Sequence, residues 1–146
     1  MIANQRASID EITVIQLIED ELIPLTLRRF PHTTINKDEI IERLRKGLTY
    51  VWKDLLGHIV GFVHLIINNQ ILWVDMIAVH RLKQGKGIGN KLIQHAISYG
   101  KSNMMKRVSL YVDDSNHKAI RLYQTLGFRS IQYQPLIYCY EMSRDL

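Results

Sequence analysis

Apolar positions near the start of the chain recur at helical spacing. Ile12, Ile15, Leu17, Ile18 and Leu22 follow Asp10, an acceptable N-cap, and Pro24 closes the stretch, so a helix is expected there. A second helix is expected after Asn36, with Ile40, Ile41 and Leu44 turned inward and Gly47 as its stop. From Leu48 the period changes: residues 49–52 predict a strand, Leu55-Leu56-Gly57 a turn, and residues 59–67 a longer strand. Asn68-Asn69 predicts a tight hairpin into a further strand over residues 71–79, which makes the middle of the chain an antiparallel meander. Beyond it, residues 87–100 predict a helix with Leu92, Ile93, Ala96 and Ile97 on one face, and residues 108–112 a strand. A helix over residues 116–126 stops at Gly127, and residues 128–133 and 136–142 predict a final pair of strands. The expected class is α/β: a mixed, mostly antiparallel central sheet with helices on both faces, in a single domain over residues 1–146.

Composition narrows the setting. The 146 residues are 47% hydrophobic and 23% charged, which excludes a disordered or collagen-like chain. A lone Cys139 cannot form an intramolecular disulfide, and the chain lacks the thiols of a cysteine-rich zinc site, so no metal is expected. The strongest apolar stretch, residues 59–67, contains Gly61 and His64 and falls far short of the roughly 20 residues a bilayer requires. The first residues show no export-like segment, and a cytoplasmic protein without membrane partners is expected. The net charge is +5, and its distribution matters more: residues 1–73 hold eight basic and nine acidic side chains, residues 74–146 eleven and five. Arg81, Lys83, Lys86, Lys91, Lys101, Lys106 and Arg107 form a run uninterrupted by acidic residues. Such a run attracts a polyanion: a phosphorylated cofactor, a nucleic acid or a membrane surface.

The element that separates these options is Gln84-Gly85-Lys86-Gly87-Ile88-Gly89, set between a predicted strand and a predicted helix. Glycines there let main-chain N–H groups approach a ligand closely, and a helix's first turn presents unpaired donors with partial positive charge. A phosphate or pyrophosphate is the natural occupant. The Walker pattern fails because Gly87, not Ser or Thr, follows Lys86. The dinucleotide fingerprint fails because Asn90 stands where its third glycine belongs.

These residues resemble the GNAT superfamily of N-acetyltransferases, whose acyl-CoA loop reads Gln/Arg-x-x-Gly-x-Gly/Ala. Residues Gln84 to Gly89 match every fixed position, Ile77-Ala78-Val79 is similar to the family's central strand, and Asn116, Ala119, Leu122-Tyr123 and Leu126-Gly127-Phe128 to its second block. Arg6-Ala7-Ser8 with Asp10 also resembles a family N-terminus. The resemblance implies that acetyl-CoA is the cosubstrate. Its pyrophosphate would lie on the amides of Gln84, Gly85, Lys86, Gly87, Ile88 and Gly89. Its pantetheine arm would pair with Ile77 and Val79, an amide in Ile77-Ala78-Val79 would face the thioester carbonyl, and Asn116 would meet the arm or orient its helix. Tyr123 matches the tyrosine that protonates the departing thiolate. Asp75, expected on the same strand face as Ile77, is the preferred general base, with His64 and His80 as competitors. Tyr111 stands where ribosomal-protein acetyltransferases of the family carry Glu, which argues against a protein N-terminus as acceptor.

Arg28, Arg29, Phe30 and His32 suit an anionic acceptor, Glu19, Asp20 and Glu21 a polycationic one, and the two remain open. The expected activity is direct acetyl transfer to a small-molecule primary amine by a monomer or homodimer, with no nucleic-acid partner. The alternatives are a protein Nα or lysine acetyltransferase and a catalytically silent CoA-binding module.

Overall fold

The computed structural model describes residues 1–4 and 7–146, with side chains for all of these but residues 3–9. Arg6 and the side chains of Ala7 and Ser8 lie outside the described part. In chain order the elements are β1 (Ile2–Asn4), α1 (Ala7–Leu17), a π-turn (Ile18–Leu22), α2 (Ile23–Arg29), α3 (Lys37–Arg45), β2 (Leu48–Lys53), β3 (Ile59–Asn68) and β4 (Ile71–Val79). A 3₁₀ turn (Arg81–Lys83), α4 (Ile88–Ser102), β5 (Arg107–Asp113), α5 (His117–Thr125), β6 (Arg129–Gln134) and β7 (Cys139–Asp145) follow. The hydrogen-bonded strand order is β1-β2-β3-β4-β5-β7-β6, with β4 and β5 parallel and the β1–β2, β5–β7 and β6–β7 ladders antiparallel. The chain forms two compact units, residues 1–64 with 76–92 and residues 65–75 with 93–146.

In the first unit, Val14, Ile15, Leu17 and Ile18 pack with Leu44 of α3 and with Val51, Phe62 and Ala78 of the strands. Asn36 caps α3 as expected, accepting from Asp38 N at 2.9 Å and Glu39 N at 3.2 Å. Helix α1 begins at Ala7, earlier than Asp10 suggested; Asp10 lies inside it and is buried. Pro24 does not close the helical stretch. It lies in the first turn of α2, where a missing N–H costs nothing, so a helix occupies much of the segment expected to be loop. Arg28 and Arg29 fall in the last turn of α2, where cations complement the helix dipole. The hairpin between β3 and β4 uses Asn69 and Gln70, one residue later than expected, both at positive φ as a two-residue primed turn requires.

In the second unit, Gly100 shows why α4 continues past its expected stop: a Cβ there would meet Leu72 and Val108 at 3.5 Å and Leu146 at 2.6 Å. This glycine serves close packing inside a helix that ends at Ser102. Leu92, Ile93, Ala96 and Ile97 are all buried, as the periodicity predicts. Strand β7 is shifted three residues from its expected place because Ser143, Arg144 and Asp145 read as polar. They pair with Ser109, Val108 and Arg107, and the buried Ser143 and Ser109 hydroxyls satisfy one another at 2.6 Å.

Replacing Asn36 with Ala removes both cap bonds and is expected to cost about 1 kcal/mol in urea unfolding, whereas Asn36→Asp keeps most of it. Equal losses for the two variants would contradict the capping role.

Candidate active site

A Cβ on Gly61 of β3 would touch Val79 of β4 and Ile88, the first residue of α4, while Met76 and Ala78 of β4 pack on the α1–α3 core. Asp75 and Ile77 both lie in β4 and are half-buried. The ladder with β5 runs from Ile71 against Arg107 to Val74 against Leu110.

Main-chain groups alternate sides along a strand. The N–H of His80 donates to Val60 O of β3 at 2.8 Å, so the groups of Ile77 and Val79 point away from β3. The Val79 carbonyl is occupied by the Gln84 side-chain amide at 2.9 Å, which folds the loop back on the strand.

The loop has the backbone that its glycines predicted. Gly85 and Gly87 take φ of +75° and +83°, in the left-handed region. The first α-helical bond runs from Lys91 N to Gly87 O at 3.0 Å, and the amides of Gly87, Ile88 and Gly89 donate to no acceptor among the described residues. Lys86 and Lys91 are exposed and have no ion pair among the described residues. Three adjacent donors at a 15-residue helix N-terminus, flanked by two lysines, can hold a pyrophosphate.

Tyr123 on α5 is 7% exposed, its ring 5.8 Å from that of Phe128. Its hydroxyl bonds no group among the described residues, and burial pushes its pKa up to about 12. Asn116 caps α5 by accepting from Ala119 N at 3.2 Å, leaving its amide nitrogen for a ligand. Both competing histidines have ring nitrogens engaged by neighbouring groups. Buried His64 bonds Thr49 Oγ1 at 2.9 Å and Arg43 O at 3.1 Å; because a carbonyl only accepts, Nε2 carries the proton and Nδ1 accepts from the threonine. His80 Nδ1 accepts from Leu82 N at 3.1 Å.

The sequence reading missed a group on the strands. Trp73 stacks on Tyr111 with ring centroids 5.3 Å apart, and the Tyr111 hydroxyl donates to Glu141 at 3.3 Å. Glu141 is the register partner of Tyr111, so a carboxylate from β7 stands beside the tyrosine. Burial and, next, the Glu141 charge raise the Tyr111 pKa. Nothing in the linear pattern could pair them without the β5–β7 register.

A family model described as the acetyltransferase (GNAT) family matches residues 14–128. A mycothiol acetyltransferase of Thermobispora bispora is 26% identical over 125 residues, covering 75% of this chain and 42% of the relative. The spermine/spermidine N(1)-acetyltransferase of Bacillus subtilis is 36% identical over 63 residues, 42% of this chain and 41% of the relative. The chain thus spans less than half the length of either. In structure it is similar to a GNAT family acetyltransferase from Elizabethkingia anophelis with acetyl-CoA bound, with a TM-score of 0.75 and 21% identity over 100% of this chain and 97% of that one.

Below pH 10 Tyr123 is neutral whether folded or unfolded, so its contribution to stability is fully present there. As pH rises from 10 to about 12 the unfolded phenol ionises first and that contribution is lost. Urea midpoints at pH 9 and pH 11 are expected to fall further in the wild type than in Tyr123→Phe; parallel falls would contradict the burial of the phenol.

Proposed function

From its membership in the GNAT acetyltransferase family, to which this chain belongs, we propose that the protein transfers an acetyl group from acetyl-CoA directly to the primary amine of a small molecule. The observation that carries this reading is the run of amides at Gly87, Ile88 and Gly89 that meet no acceptor among the described residues at the start of α4. Acetyl-CoA supplies the activated acyl thioester. The amides, with those of Gln84, Gly85 and Lys86 and the charges of Lys86 and Lys91, hold its pyrophosphate. Ile77 and Val79 pair with the pantetheine arm through their main-chain groups, and the strand residues Ile77-Ala78-Val79 present a fixed dipole to the charge developing on the thioester oxygen. Asn116 uses its free amide nitrogen on the same arm.

Tyr123 is the donor to the leaving sulfur. A phenol near 12 against a thiol near the usual value of about 8.5 makes complete proton transfer uphill, so its role is a strong hydrogen bond to the nascent thiolate, with the proton following from the acceptor side. Asp75 of β4 is our assignment for deprotonating the amine, directly or through water.

For the acceptor, the Trp73–Tyr111–Glu141 group favours a cation: two aromatic rings and a carboxylate suit an ammonium. The opposing signal from Arg28 and Arg29 is explained by their place at a helix end. Polyamine acetylation by the Bacillus subtilis relative is in keeping with this reading. A reaction consuming acetyl-CoA points to the cytoplasm as its compartment, in keeping with the lack, among the described residues, of any helix long and apolar enough to cross a membrane.

Acetyl-CoA at about a hundred times its dissociation constant is expected to stabilise the fold by about 2.7 kcal/mol in thermal unfolding. No shift at millimolar ligand would remove the cofactor assignment. In a thiol-release assay over polyamines, amino sugars, amino acids and short peptides, di- and polyamines are expected to be the best acceptors, and Tyr123→Phe to lower kcat about a hundredfold with acetyl-CoA affinity unchanged. Activity confined to peptides would move the assignment to a protein acetyltransferase, and binding without turnover to a CoA-binding module.

A further inference from the structure

Glu19, Asp20 and Glu21 read in sequence as a solvated helix end or an acceptor site, and the structure gives them different work. Glu19 faces Lys37 at 3.5 Å, and Asp20 Oδ1 accepts from Gln16 at 3.0 Å. Glu21 is the exception in its burial: its side chain is 12% exposed, and one oxygen, Oε1, accepts both the main-chain N–H of Arg81 at 3.1 Å and the Arg81 guanidinium Nε at 3.2 Å. The same guanidinium donates through Nη2 to the Asp20 carbonyl at 3.1 Å.

The local sequence explains why that carbonyl is available. In an α-helix Asp20 O would accept from residue 24, but residue 24 is proline and has no N–H. The chain responds by widening into a π-turn, in which Ile23 N bonds Ile18 O, and Arg81 supplies the missing donor at Asp20. Three hydrogen bonds therefore join one helical turn to one residue some sixty positions away.

Arg81 stands between β4 and the glycine loop. Directly after it, Leu82 N bonds the His80 ring, Lys83 N bonds His80 O at 2.8 Å, and the Gln84 side chain returns to Val79 O. Those bonds fix the shape of the segment, and the contacts of Arg81 with Glu21 and the Asp20 carbonyl tie it to the helical layer. Arg81 is also spoken for, which removes it from the basic run that could meet phosphates.

We infer that Glu21 is a positioning residue for the cofactor loop: its carboxylate, through Arg81, holds the start of the Gln84–Gly89 segment where its amides converge on one anion. The inference rests on the acetyl-CoA reading above. It assigns Glu21 no contact with substrate, so the acceptor side should not sense its loss.

The test compares the whole protein with Glu21→Ala, Glu21→Gln and Arg81→Lys. Acetyl-CoA affinity is measured by calorimetry, with steady-state kinetics and the thermal midpoint of the ligand-free protein alongside. Losing charge-assisted bonds that order the loop is expected to weaken acetyl-CoA binding about tenfold in Glu21→Ala and to raise KM for acetyl-CoA equally, with kcat and amine KM within about twofold of wild type. Glu21→Gln keeps an oxygen for the Arg81 N–H and should fall between the two. Arg81→Lys keeps the main-chain bond while losing the fork, and should also be intermediate. Wild-type acetyl-CoA affinity in Glu21→Gln and Arg81→Lys, or a lowered midpoint with unchanged affinity, would overturn the inference and leave the cofactor assignment standing. A wild-type protein that fails to bind acetyl-CoA would overturn both.

Discussion

The functional geometry depends on one obligation of the polypeptide chain, that main-chain N–H and C=O groups find partners. This protein leaves some of them unpaired in a concentrated way. Strand β4 is laddered to β5 through Val74, and the main-chain groups of Ile77 and Val79 point away from β3. A few residues later the amides of Gly87, Ile88 and Gly89 open α4 with no acceptor among the described residues. Donors gathered on a strand and at a helix start are what a ligand with a peptide-like arm and a pyrophosphate would complete.

The surrounding residues keep those donors in place. Gly85 and Gly87 supply left-handed backbone, Gln84 ties the loop to Val79, and His80 turns the chain between them. The core of Val14, Phe62 and Ala78 backs the strand from the α1 side. Gly61 lets Ala78 O and Ile88 approach β3 to 3.2 and 3.3 Å of where a Cβ would be, so the loop's helix starts hard against the sheet. Polar groups that looked chemical in the sequence, His64 above all, prove to be satisfying neighbouring main chain instead.

What was legible in the sequence was local. Glycine spacing at Gly85 and Gly87 announced the left-handed turn before α4, Asn36 and Asn116 announced their caps, and apolar periodicity placed the buried face of α4. Non-local facts were not legible. The proximity of Tyr111 to Glu141 depends on how β7 registers against β5. Polar Ser143 to Asp145 hid the true end of that strand, and Pro24 read as a stop although it sits where a helix accepts it. The pairing of Glu21 with Arg81 spans 60 positions and no spacing rule reaches that far.

The central claim is that main-chain donors, assisted by the charges of Lys86 and Lys91, hold the cofactor. Amide hydrogen exchange of the isotopically labelled protein, with and without saturating acetyl-CoA, tests it residue by residue. The account predicts that Ile77, Gly87, Ile88 and Gly89 become strongly protected on binding while the amides of α3 do not change. Acetyl-CoA binding that leaves these four amides exchanging at their free rates would contradict it.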